Sequence, residues 1–397
     1  MRRLVFTILS LALSTGSLAG TPEPHCVLDP TQMPESWRPP ADLRQSLNPA
    51  PWSQSEAKDA DYAIETGLNE MIGYFERKPS AVQNLWDDSV EALIQVTYAS
   101  ANTPEFDARA SGAARKNLTA LVTPYLERDP ASAICDEFEA LLPLALFAHK
   151  LYPANDRRTD AITKRTNAAY RDCGSLEEAT GHRLQKVLAD KNVGLEVLFE
   201  LHLWTLWFIE AELYPDIELP AETGAFGPAL WKYFETYRFP RPDDFEAGAW
   251  DEDFIVIADL ATHIAHIPTG VHRFPLYVED SPNLYRFHRE HFYTAMQLGE
   301  PDLFASFIDT LRQYGCTPEN DVQVRDGTRY LLRVFSEGED RWMDYRKDGE
   351  TDANMDDYGL IHYPWTALLG IRDRNPEQPK PGTYGGIVRR WLPNPSQ

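Results

Sequence analysis

What most constrains the fold of this chain is the stretch 250–270, WDEDFIVIADLATHIAHIPTG. Asp251, Glu252 and Asp253 open it, where a helix N-terminus favours negative charge, and Pro268 and Gly270 close it, so the spacing predicts a four-turn helix with both ends marked. Most of its circumference is apolar. The polar side chains Asp259, Thr262, His263 and His266 recur at i, i+3, i+4 and i+7 and therefore share one face. A helix that is apolar almost all round belongs inside a protein, and polar groups buried there require partners. The stripe thus predicts the wall of a central pocket, facing a cavity, a partner's polar groups or trapped water.

The helical period recurs through most of the remaining sequence. Ile64, Leu68, Met71, Ile72 and Phe75 keep it, as do Val82, Leu85, Trp86, Val90, Leu93 and Ile94, and Pro79 parts the two runs into a helical hairpin. Further helices are expected at about 106–127, 131–151, 157–173, 176–190 and 194–214, with turns at Pro130, Pro153 to Asp156 and Gly174. Residues 215–249, rich in Pro, Gly and aromatics, read as a long loop with one short helix. Beyond the central helix, Ser281-Pro282 introduces another, and more are expected near 303–311, 322–335 and 364–371. Strand signals are scarce. Short links make successive helices antiparallel neighbours. The expected fold is all-α, with stacked antiparallel helix pairs in one domain at 53–374. A proline-rich arm at 21–52, carrying Trp37 and Trp52, precedes it, and a Pro/Gly-rich tail at 375–397 follows.

Residues 1–20, MRRLVFTILSLALSTGSLAG, have two arginines, an apolar run and small residues toward Gly20, the layout of a secretory signal peptide. The apolar run falls short of the ~20 residues a membrane span needs. The greasiest later stretch, 193–213, is interrupted by Glu196, Glu200, His202 and Glu210 and reads as a core helix. No membrane span is therefore expected after signal cleavage. A formal charge of -23, from 38 Lys+Arg against 61 Asp+Glu, disfavours nucleic acid and anionic membrane as partners. The expected location is periplasmic or extracellular, where disulfides persist. Cys135 near the start of one expected helix and Cys173 at the end of the next would be neighbours in an antiparallel hairpin, leaving Cys26 and Cys316 to tie the arm to the body. Four free buried thiols are the alternative.

The segment VRDGTRYLLRVFSEGEDRWMDY, followed by YGLIHYPWTALLGIRD, resembles the helix, tryptophan-bearing turn and helix repeat of α/α-toroid proteins such as terpenoid cyclases and protein prenyltransferases. The resemblance covers residues 322–373. Where that repeat has Gln-x-x-Asp-Gly-x-Trp, this chain has Ser336-Glu337-Gly338-Glu339-Asp340-Arg341-Trp342, and the acidic DxDD and DDxxD signatures are absent. The resemblance implies a toroid-like architecture with inner helices around one pocket, and no terpene chemistry.

His263 and His266, spaced HxxH with Asp259 one turn earlier, could share a divalent metal such as zinc, although the stronger HExxH pattern is absent. Histidines bonded to neighbouring carbonyls or carboxylates in the core account for the same spacing. His362 opens the last helix and in a toroid would face the same pocket, where Asp326 and Arg325 could approach it. His263, Asp259, His362 and Asp326 would then supply a general base, a general acid and an orienter. Thr262, Arg273, Trp250 and Arg325 are the candidate substrate-binding residues, Trp250 as a stacking platform alongside Trp204, Trp207 and Trp231. Glu196, Glu200 and Glu210 could line the same pocket. His288 and His291 repeat the HxxH spacing amid Arg286, Arg289 and Glu290, as a solvated charged face would. Asp352-x-Asn354-x-Asp356 begins like a calcium loop but has Asp357 where glycine is required. The expected function is that of a secreted or periplasmic enzyme, a lyase or hydrolase. Its central His/Asp pocket would perform acid/base or metal-assisted cleavage of a polar substrate such as an oligosaccharide, a substrate class drawn by analogy with secreted helical toroids. The alternative is a non-catalytic periplasmic binding or inhibitor protein whose acidic surface captures a basic partner.

Overall fold

The computed structural model describes residues 25–98, 103–190, 193–220, 222–241, 250–342, 356–373 and 376–392. Among these residues there is no strand, and helices of eight residues or more follow one another in the order α1 (Gln54–Arg77), α2 (Asp88–Gln95), α3 (Pro104–Leu126), α4 (Phe138–Leu151), α5 (Arg157–Cys173), α6 (Leu195–Ala211), α7 (Thr223–Thr236), α8 (Trp250–Thr269), α9 (Pro282–Leu298), α10 (Pro301–Gln313), α11 (Val322–Glu337) and α12 (Asp357–Ile371). Local chemistry sets many of their ends. Ser53 and Glu56 form a capping box ahead of α1, Thr103, Asp156, Asp321 and Asp356 each accept a backbone N–H at an N-terminus, and Gly174 and Gly299 end α5 and α9 in left-handed conformation.

The packing follows a simple alternation. The even-numbered helices touch in succession, α4 to α6, α6 to α8, α8 to α10, α10 to α12, and α12 back to α2. The odd-numbered helices pack against them, α3 between α2 and α4, α5 on α4, α7 on α6, α9 on α8 and α10, α11 on α10 and α12, and α1 on α12. The contact between α10 and α12 is very close. Gly370 faces the Ala305 backbone, and a Cβ added there would lie 2.8 Å from the Ala305 carbonyl oxygen. One contiguous core of buried side chains runs from Val27 to Leu392, so the arm and the tail belong to it as well. Trp37 of the arm packs edge-on to Tyr285, and Tyr384 of the tail donates to the Ile267 carbonyl. Both expected disulfides are present, Cys26–Cys316 and Cys135–Cys173, with Cα separations of 5.5 and 4.6 Å.

Several expectations are corrected. The helix placed at 131–151 begins at Phe138, after two 3-10 turns, and the one placed at 176–190 is two short helices, Leu176–Thr180 and Leu184–Ala189, broken at Gly181. Within 215–249 the structure has the 14-residue α7. α8 ends at Thr269, between Pro268 and Gly270 as expected, with Pro268 inside its last turn, whereas Pro364 does not start α12 but lies inside it. Proline forfeits a backbone bond, but both helices are held by the buried side chains around it, Ile264 and Ile267 in α8 and Ile361, Trp365 and Leu368 in α12. No helix among the described residues is long and apolar enough to cross a membrane. The expected signal peptide, the calcium-like loop before Asp356 and the side chain of Trp250 lie outside the described residues.

Candidate functional site

All six even-numbered helices contribute to the wall of one cavity of about 550 Å³, and none of the odd-numbered ones does. From α8 come Asp259, His263 and His266, so the hydrophilic stripe read from the sequence faces this space. Thr262 does not. It is buried, and its hydroxyl donates back to the Asp259 carbonyl. The other walls add Asp87, Asp88, Glu91 and Gln95 at α2, Asp136 and Glu139 at α4, His202 and Trp207 on α6, Asp302 and Asp309 on α10, and Tyr358, His362 and Trp365 on α12. Among the described residues the wall thus holds eight carboxyl groups and no lysine or arginine.

Three histidine–carboxylate pairs line the cavity. His263 Nδ1 lies 2.8 Å from the Asp259 carbonyl oxygen and 3.2 Å from Asp259 Oδ1. That engagement places the proton on Nδ1 and presents Nε2 to the cavity. Burial works against the charged imidazole, but the Asp259 carboxylate outweighs it, so His263 is raised and Asp259, in turn, is lowered despite its own burial. Asp259 keeps 47% of its side-chain surface open, and that opening is to the cavity. On α12, His362 Nδ1 sits 3.2 Å from Asp302 Oδ2, with its ring stacked on Tyr358 and edge-on to Trp365. In the third pair, His272 Nδ1 is 2.7 Å from Asp309 Oδ2.

The α2 side differs in charge state. Burial, reinforced by Asp87, pushes Asp88 up to about 7, and burial with Asp87 and Asp88 does the same to Glu91. Glu91 accepts from Gln95 Nε2 at 2.7 Å, and Gln95 in turn accepts from Trp365 Nε1 at 3.0 Å, which ties α2 to its neighbour α12. His202 is held neutral: burial, with the His263 ring centroid 5.2 Å away, lowers it to about 3. Its Nδ1 bonds to the Phe199 carbonyl at 2.6 Å, and its buried Nε2 has no hydrogen-bond partner.

The expected metal pair, His263 and His266, is rearranged. Their ring centroids are 5.1 Å apart, but His263 is engaged by Asp259. The group whose ligand atoms converge, all within 4.8 Å of one another, is His266, His272 and Asp309. A second convergent trio among the described residues, His25 with Cys26 and Cys316, has its two sulfurs in a disulfide.

Other expected site residues lie elsewhere. Asp326 and Arg325 are on α11, against a separate groove of about 490 Å³ under the arm, where Tyr293 donates to Asp326 Oδ2 at 2.9 Å. They cannot join His362, because α11 packs behind α10 and α12 rather than beside the cavity. Arg273 lies in an adjoining chamber of about 50 Å³, where it and Lys150 clamp the buried Glu210. Glu200 pairs with His182, and neither it nor Glu196 is in the cavity wall. Of the tryptophans, Trp207 reaches the cavity, whereas Trp204 and Trp231 are core. His288 is buried on α9, with Nδ1 bonded to the Leu284 carbonyl, and is not part of a solvated face.

Comparison with known family models, with curated proteins and with solved structures finds no match to this chain.

Proposed function

We propose that the protein is an α/α-toroid enzyme that hydrolyses a neutral or cationic polar substrate, of the oligosaccharide class, by general acid/base catalysis in the central cavity. One observation carries the reading. Across a single cavity, one carboxyl group is held ionised beside an imidazole at Asp259–His263, and another carboxyl cluster, Asp88–Glu91, is pushed up to about 7 and so keeps a proton into the neutral range. Environments that push the pKa values of titratable groups apart in one cavity assign a base and an acid. The ionised Asp259–His263 pair takes the proton of an attacking water, the water oxygen bonds to the substrate carbon, and the protonated form of the Asp88–Glu91 cluster delivers a proton to the departing oxygen as its bond to carbon breaks. His362, oriented by Asp302, and the aromatic faces of Trp86, Trp207, Tyr358 and Trp365 position the substrate. The eight carboxyls, with no lysine or arginine among the described lining residues, repel an anionic chain, which selects for neutral or amino-bearing sugars. The alternation of cavity-lining and backing helices supports the toroid part of the reading, and the layout of residues 1–20 supports a secreted or periplasmic location.

The test is turnover on neutral, amino-bearing and uronate-rich oligosaccharides. Wild type should cleave the first or second class, and His263→Ala and Glu91→Gln should each lower kcat by about 10²–10⁴-fold with far-ultraviolet circular dichroism unchanged. Tight binding of a cationic ligand with no turnover by wild type would instead favour the non-catalytic binding protein, which the same carboxyl-rich wall would serve.

A further inference from the structure

We infer that His266, His272 and Asp309 form a binding site for one first-row divalent cation of the zinc class, in the wall of the central cavity. The inference goes beyond the acid/base reading and does not depend on it. Each of the three residues offers a ligand atom, all within 4.8 Å of one another, and all three line the cavity, so the remaining coordination positions open onto that space. Two imidazole nitrogens with one carboxylate oxygen suit zinc or iron(II) rather than calcium or magnesium, which prefer oxygen alone. Three protein ligands with an open position is the arrangement of a metal that holds water or substrate, not of a closed structural site.

The backbone supports this independently. After α8 ends at Thr269, three successive residues take left-handed conformations, Gly270 at φ 58°, Val271 at φ 53° and His272 at φ 69°. For Gly270 this is ordinary, but for a β-branched valine it is an outlier that the surroundings must hold in place. Val271 N donates to the His266 carbonyl at 3.1 Å, while Arg273 N and Phe274 N both donate to the Thr269 carbonyl at 2.9 Å, which pins the strained turn. Its effect is to fold His272 back under its own helix, to a ring-centroid distance of 4.6 Å from His266. A straight exit from the helix would carry the side chain away. The opposing wall is equally prepared: Gln313, one turn after Asp309 on α10, donates from Nε2 to Asp309 Oδ2 at 2.6 Å and lies 3.0 Å from His272 Nδ1. Partners of this kind fix the orientation of ligating side chains in metal centres. The carboxyl-rich wall supplies the electrostatic attraction for a dication.

The site is tested on the full chain stripped with a chelator and dialysed against zinc alone, with metal counted by mass spectrometry. Wild type should take up about one zinc per chain, unaffected by excess magnesium or calcium, and His272→Gln and Asp309→Asn should weaken binding by about 10–100-fold. Asp326→Asn, in the separate groove under the arm, should bind zinc as wild type does. Cobalt-loaded wild type should show visible d–d absorption and paramagnetically shifted N–H resonances from two imidazole ligands, a readout that holds even where a variant fails to fold. Folded wild type that takes up no stoichiometric zinc, or cobalt bound without imidazole ligands, overturns the inference. Zinc bound without any cleavage activity would leave it standing and sink the catalytic reading alone.

Discussion

Glu91 shows what the cavity does to a single residue. In an unfolded chain its carboxyl is ionised above the ordinary pKa of 4.5, whereas in the fold burial with Asp87 and Asp88 raises it to about 7. The charges facing it are Asp87 and Asp88 on its own side, Lys150 from α4 and His263 from α8, and the neutral amide of Gln95 donates to it from one turn on. A group raised on folding imposes no cost below its unfolded pKa, and the cost grows as pH rises through 4.5 toward 7 and is complete above that. Glu91→Gln should therefore leave stability near pH 4 unchanged and raise it near pH 8, by roughly 2 kcal/mol if most of the shift is relieved. Urea unfolding at the two pH values checks both sign and size, and equal effects at both would refute the charge explanation. Under the proposed acid/base mechanism, kcat should fall as pH rises through about 7, where the cluster loses its proton.

At the scale of the element, the α8 stripe was legible because an apolar helix with four polar side chains on one face has few explanations. The same signature stands in other lining helices and was not read there. Asp88, Glu91 and Gln95 of α2 fall at i, i+3 and i+7, and Asp302, Ser306 and Asp309 of α10 at i, i+4 and i+7, each on a helix that is otherwise largely buried. A search for that inverted pattern along the whole sequence would have found them. His272 was not legible by any period, since a left-handed turn rather than helical spacing brings it to the site. Asp326 and Arg325 were misplaced because adjacency in sequence to an inner helix says nothing about which layer a helix occupies. The helix contacts themselves are testable. Gly370→Ala would drive a methyl group against the Ala305 backbone where α10 meets α12, and should cost about 1–3 kcal/mol in urea unfolding while loosening the His362–Asp302 pair.

For the whole molecule, the cross-links matter in proportion to the chain they close. Cys26–Cys316 spans 290 residues and Cys135–Cys173 spans 38. On chain-entropy grounds, replacing the first pair by serine should lower the unfolding free energy by up to about 5 kcal/mol and the second by up to about 4 kcal/mol, which paired urea titrations would compare. All-α class and cysteine pairing were both readable in the sequence because each follows from local period and chain direction. Which helices face inward was not, since that depends on closure of α12 against α2. That closure has a temporal corollary. The two helices that meet, α2 and α12, are separated by more than 260 positions in the sequence, so while the chain is being made no partial product lacking α12 can possess the central cavity. The cluster of acids on α2 stays an ordinary, solvated set of charges until α12 packs against it.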